Sequence, residues 1–198
     1  MDIIPLQEKG KQYDTIASVI CDNAVVADNT YKKARKKLLA INSWGKTGSS
    51  ILQTDFFLCD AHGNEVDRTP EVSDHIKIDL LGPGSTSGGG FDWVQIKEIV
   101  DNENDSHGTL TSITVRPAVC PTNDSKAVAH FFDEEATSTF IVSKKENEVV
   151  AEIHGRNEEP NKINTPVVDK VRNALVAAFA KVKFSDIQWK SLCEGFLA

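Results

Sequence analysis

The segment His154-Gly155-Arg156-Asn157-Glu158 gathers a titratable ring, a guanidinium fork, an amide and a carboxylate in consecutive positions. It closes a run, Glu148 to His154, in which Val149, Ala151 and Ile153 alternate with Val150, Glu152 and His154, the pattern of a half-buried strand. Side chains leaving a strand end can converge on a ligand, and a fixed guanidinium fork suits an anion. His154, Arg156 and Asn157 are therefore candidate ligand-binding residues. A purely structural role is as concrete, with Arg156 pairing with Glu158 or Glu159 and Asn157 stabilising a turn before Pro160. A ring that titrates near neutrality also makes His154 the centre of any hydrolase or isomerase chemistry this chain could perform.

Gly82-Pro83-Gly84-Ser85-Thr86-Ser87-Gly88-Gly89-Gly90 is the most unusual stretch. Ser87 interrupts the dinucleotide fingerprint, and Phe91-Asp92-Trp93-Val94 reads as a strand where a helix would be needed. The stretch is expected to be a long mobile connection between two strands. Glycines such as Gly84 and Gly88 let backbone approach a ligand or cradle an anion, and the loop could act as a gate with Trp93 beside it. Ordering so much glycine is costly, so whatever fixes the loop must offset that entropy.

Other fragments fail on spacing. Gly45-Lys46-Thr47 ends like a phosphate-binding loop, but the glycine required five residues earlier is Ala40. Asp101 to Ser112 carries acidic groups at Asp101, Glu103 and Asp105, yet Ser106 stands where the sharp turn needs glycine and Ser112 where calcium needs a bidentate Glu. The five histidines form no HExxH and no i,i+4 pair; Cys21, Cys59, Cys120 and Cys193 form no CxxC; no GxSxG elbow exists. No cofactor and no metal are expected.

The elements that would position these residues follow from periodicity. After a flexible N-terminal arm, residues 1–14, Thr15 to Ile20 is a short β-rich run and Asn29 to Ile41 a helix. From Ile51 to His154 apolar residues recur with period two between turn signals, which predicts an antiparallel meander. Its strands are Ile51 to Cys59, His75 to Leu81, Phe91 to Val100, Thr109 to Val115, Thr137 to Ser143 and Glu148 to His154. In His75 to Leu81, Ile76, Ile78 and Leu80 share one face and His75, Lys77 and Asp79 the other, which is expected to be wet. Asp101 to Gly108 reads as a polar loop, and Ser125 to Asp133 as a short helix. Residues 165–197 read as a helical cover in two parts. Asn164 or Thr165 caps the first, with Pro166 at its first position and Val167, Val171, Leu175, Phe179 and Val182 on its apolar face. Ser185 and Gln188 form a capping box for the second, with Trp189, Leu192, Cys193, Phe196 and Leu197 as its buried stripe.

Bulk composition limits the partners. The 198 residues carry 22 Lys+Arg against 29 Asp+Glu, a formal charge of −7, which argues against nucleic acid and generic acidic-lipid surfaces. Lys32, Lys33, Arg35, Lys36 and Lys37 are the local exception, a solvated helix face or a docking patch for an acidic protein partner. The longest apolar run, Ala174 to Ala180, is far short of the ~20 residues that span a bilayer. Without a secretory apolar core near Met1, and with four scattered cysteines best read as reduced thiols, a cytoplasmic setting is expected.

Together these readings give a single α+β domain over residues 1–198: an antiparallel β-sheet with an early basic helix and two C-terminal amphipathic helices packed on one face. That plan resembles helix-grip domains, in which a curved sheet wraps a terminal helix, and the resemblance implies an apolar cavity between them. The leading expectation is a non-catalytic binding protein that takes a small or amphipathic ligand between sheet and C-terminal helices. The Gly82 to Gly90 loop would be its gate and Arg156 its polar anchor. The alternatives are a protein–protein interaction or assembly component and a hydrolase or isomerase centred on His154.

Overall fold

The computed structural model describes residues 3–48, 54–80, 85–105, 108–161 and 187–198. Among the described residues seven antiparallel strands form one sheet: β1 (Lys11–Ile20), β2 (Asp55–Cys59), β3 (His75–Asp79), β4 (Asp92–Asp105), β5 (Gly108–Pro117), β6 (Thr137–Lys145) and β7 (Glu148–Glu158). Strands β2 to β7 meander, each pairing with the next, and β1 pairs with β7, giving the order β1-β7-β6-β5-β4-β3-β2. Consecutive strands β1 and β2 thus lie at opposite edges. The chain between them has to cross the sheet, and it does so as α1 (Ala24–Leu39), a 3-10 turn (Ile41–Ser43) and α2 (Trp44–Thr47). The C-terminal helix, residues 187–197, packs on the same face. This is an α+β arrangement, an antiparallel sheet with helices packed on one face.

Alternation along the strands decides which face is covered. Ala17, Ile96, Ile113, Phe140, Val142, Val149, Ala151 and Ile153 point to one side and are buried there with Ala27, Tyr31, Ala34 and Leu38 of α1. The 4-3-4 spacing of those α1 residues is the helical stripe, which leaves the lysines outside. Helix α1 starts at Ala24, earlier than the periodicity placed it, because Asn23 is its N-cap: its Oδ1 accepts from Val26 N at 3.0 Å. In the C-terminal helix Leu192, Cys193 and Phe196 are buried, with Trp189 and Leu197 packed partly against the same core. The first C-terminal helix expected from the sequence, its caps, and Ser185 lie outside the described residues, as do Ile51 to Gln53.

Four expectations need correction. Asp101 to Asp105 is strand and not loop: β4 runs on to Asp105, which pairs with Gly108, the first residue of β5, while Asp101 and Asn102 are exposed as expected. A backbone ladder needs no apolar side chains, and Asp101 there accepts from Arg35 Nε (2.9 Å) and Thr111 Oγ1 (2.7 Å). Ser125 to Asp133 forms no helix. Its polar side chains claim backbone N–H groups instead, Asn123 Oδ1 that of Ser125, Ser125 Oγ that of Ala127 and His130 Nδ1 that of Phe132. The face of β3 that carries His75 is dry at that end, because Cys59, Trp93, Cys120 and Ala129 build a second small core over it. Finally, β7 does not end at His154 but continues through Glu158, with Gly155 and Glu158 paired to β1.

Candidate functional site

Because β7 continues, His154 and Arg156 point to the sheet face opposite Ile153. There β1 supplies Asp14, the direct cross-strand partner of His154. His154 Nδ1 lies 2.6 Å from Asp14 Oδ1 and Nε2 3.1 Å from Glu152 Oε2, with the imidazole side chain only 7% exposed. Burial opposes charge on the ring, but the hydrogen bonds from Glu152 and Asp14 outweigh it and raise the His154 pKa above the ordinary histidine value. Burial likewise pushes Asp14 up, and its bonds to His154 and Arg156 more than reverse this, so its carboxyl ionises below the usual range.

Both ring nitrogens of His154 lie within hydrogen-bond reach of carboxylates, an arrangement that favours the protonated ring, which can donate to both. Arg156 is similarly committed: its NH1 donates to the Tyr13 and Gly155 carbonyls at 3.0 and 2.8 Å, and its NH2 pairs with Asp14 at 2.7 Å. Asn157, at φ 57°, holds the N-terminal segment, its Oδ1 accepting from Glu8 N (2.7 Å) and Lys9 N (3.2 Å) and its Nδ2 donating to Leu6 O (3.0 Å). Glu152 could have been found from the alternation that put it on the His154 face. Asp14 could not, since only the β1–β7 pairing brings it there.

Gly88 and Trp93 meet each other but not this cluster. Trp93 Nε1 donates to Gly88 O at 3.1 Å, and Asn123 Nδ2 ties down Ser87 O at 2.8 Å. Residues 85–90 are thereby anchored on the second core, whereas Gly84 lies outside the described residues. His75 faces Trp93 edge-on at 6.3 Å between ring centroids. Among the described residues two separate groups result, one at the β7–β1 edge and one at β3–β4.

That interior space is built by residues the spacing motifs did not single out. Trp44 of α2 lies 4.6 Å from Phe140, 5.6 Å from Phe56 and 6.1 Å from Phe196 between ring centroids, and Phe140 in turn meets Trp189 at 5.7 Å. Trp44 Nε1 is satisfied by Leu38 O at 3.0 Å. Beside this aromatic cluster a cleft of about 30 Å³ opens between α2, the start of β2 and the C-terminal helix, where Trp44, Phe56 and Trp189 meet the polar Thr54, Gln188 and Ser191. The helix can approach α2 so closely because position 195 is glycine: a Cβ there would sit 2.0 Å from Thr47 O. No local pattern announces the cleft, since its walls come from three distant parts of the chain.

The basic helix face is partly consumed. Arg35 pairs with Asp101, and Lys37 Nζ caps the C-terminal helix by donating to Gly195 O (2.8 Å) and Ala198 O (2.6 Å), which leaves Lys32, Lys33 and Lys36 exposed. The four cysteines are free and buried. Among the described residues no helix is long and apolar enough to cross a membrane, and no group of His, Cys, Asp and Glu is placed to hold a metal ion.

No family model and no curated protein matches the chain. Among solved structures it is similar to a hypothetical protein from Helicobacter pylori, with 10% identity, a TM-score of 0.48, and 94% of this chain and 86% of that one covered. It is also similar to major latex-like protein 151 from Panax ginseng (12%, TM-score 0.37, 92% and 99% covered) and to an HSP90 activator from Plasmodium falciparum (11%, TM-score 0.35, 89% and 97% covered). At such identities no ligand or activity passes from these proteins to this one, so function has to be argued from its own residues.

Proposed function

We propose that this protein binds a small apolar or amphipathic molecule, without catalysis, between the sheet and the C-terminal helix. The observation that supports it is the cleft in which Trp44, Phe56, Trp189 and Leu192 meet the polar Thr54, Gln188 and Ser191: apolar walls with a few polar groups are the usual make-up of a small-molecule site. Its volume, about 30 Å³, is far below the roughly 300–1,000 Å³ of ligand pockets, so occupancy requires Trp189 to swing out. Trp189 is only partly buried against the core, so it can be displaced at less cost than the buried Trp44. In this reading Arg156, bonded to Asp14, Tyr13 and Gly155, and residues 85–90, tied to the second core, do not line the cleft. Four free, buried thiols support a cytoplasmic setting. An assembly role through an acidic partner is the weaker reading, because Arg35 and Lys37 are committed within the fold.

The test is titration with the fluorescent apolar anion 8-anilinonaphthalene-1-sulfonate. Saturable enhancement by the native protein is expected, with tighter binding to Trp189→Ala, whose cleft is enlarged. Emission unchanged by both proteins, each shown to unfold cooperatively, would sink the reading.

A further inference from the structure

We propose that the cleft beside Trp44 selects uncharged molecules with an aromatic body and a hydrogen-bonding group, and binds their anionic counterparts more weakly. This selectivity presupposes that the cleft is the binding site. Among the described residues, its lining carries no charged side chain, and the polar groups that meet the apolar walls are Thr54, Gln188 and Ser191. Hydroxyls and a carboxamide can each donate and accept, so they match a ligand hydroxyl, carbonyl or amide. They cannot neutralise an ion.

The cations of the neighbouring elements are directed elsewhere. Lys46 leaves α2 about 200° around the helix from Trp44, whose ring forms a wall of the cleft. Lys190, between Trp189 and Ser191, donates to Ile16 O on β1 at 2.6 Å, and Lys37 donates to Gly195 O and Ala198 O. The indole N–H of Trp44, a donor that an anion could have used, is taken by Leu38 O at 3.0 Å.

What stands at the rim instead is a carboxylate. Asp55 is exposed and follows Thr54, and its Oδ1 lies 3.1 Å from the position that a β-carbon on Gly45 would take, where Gly45 itself lines the cleft. A ligand anion would lose water there without gaining a counter-charge, and it would meet a like charge at the entrance. An uncharged ligand meets neither penalty.

Two fluorescent probes that differ by one sulfonate read this selectivity: uncharged N-phenyl-1-naphthylamine and anionic 8-anilinonaphthalene-1-sulfonate, each titrated into the protein. The neutral probe is expected to bind the native protein at least about ten-fold more tightly. Its greater intrinsic hydrophobicity contributes to that ratio, so two variants decide. Gln188→Lys, which puts an ammonium into the lining, should reduce the ratio roughly ten-fold, and Asp55→Asn, which removes the rim carboxylate, roughly two-fold. Should Gln188→Lys not fold, Asp55→Asn decides alone. Equal affinities in the native protein, or a ratio unchanged in the folded variants, would overturn the selectivity and leave the cleft as a binding site. Binding of neither probe would overturn both.

Discussion

The ring of Tyr13 on β1 lies against Gly155 on β7 so closely that a β-carbon at Gly155 would sit 2.0 Å from Tyr13 Cε1. Glycine at this position is therefore not a sign of a loop. It is the space that lets an aromatic side chain cross the strand pair beside the Asp14–His154–Arg156 cluster. Gly155→Ala should cost roughly 2 kcal/mol of unfolding free energy, the usual scale of overpacking, because the Tyr13 ring must shift. Urea denaturation measures it. A change within about 0.5 kcal/mol, as at an ordinary surface position, would mean that the ring does not lie there.

Lys37 joins the first helix to the last. Its ammonium donates to Gly195 O near the end of the C-terminal helix and to Ala198 O just beyond it. Lys37→Met should lose about 1 kcal/mol, whereas Lys36→Met, one residue away on the exposed side, should stay within about 0.5 kcal/mol. Equal effects of the two substitutions in denaturant melts would contradict the cap.

His130 has the opposite pH behaviour to His154. Burial pushes its pKa down to about 3, and its Nδ1 accepts from Phe132 N at 3.0 Å, a bond that a proton on that nitrogen would break. The folded value is below the unfolded one near 6.5, so the unfolded chain takes up the proton first. Stability contributed by the neutral ring is present above pH ~6.5 and falls as the pH drops toward 3, by at most about 1.4 kcal/mol per pH unit. Thermal melts between about pH 7 and pH 4 should show a steeper loss for the native protein than for His130→Asn, which keeps an acceptor but cannot be protonated. Parallel curves would show that the ring is already charged in the fold.

The thiols should be slow. Burial raises Cys59 to about 11 and Cys193 to about 12, and Cys21 and Cys120 are buried as well. Since the thiolate is the reactive species, an aromatic disulfide reagent near pH 8 should label the native protein far more slowly than the unfolded chain, which exposes four thiols. Rapid labelling of one cysteine under native conditions would place it at the surface.

Local periodicity made much of the fold legible. Val149, Ala151 and Ile153 alternate with polar neighbours, and Leu192, Cys193 and Phe196 recur at helical spacing; in both cases the buried face of an element is written in its own residues. The same local signal misled where a polar run, Asp101 to Asp105, had a backbone partner waiting on β5, and where Asn123, Ser125 and His130 took the N–H groups that a helix would have used.

The candidate sites were another matter. His154 could be singled out by type, but Asp14 stands 140 residues away in sequence, and only the return of β1 to the β7 edge sets the two side by side. Trp44, Phe56 and Trp189 share a cleft only because the chain from β1 must cross the sheet to reach β2, carrying α2 beneath the last helix. Sequence by itself settled which side of each element is apolar, since that depends on spacing within a few residues. Tertiary structure alone chose the neighbours, since strand order and register are decided by which distant faces bury one another best, and it is neighbours that set a histidine between two carboxylates and two tryptophans into one wall.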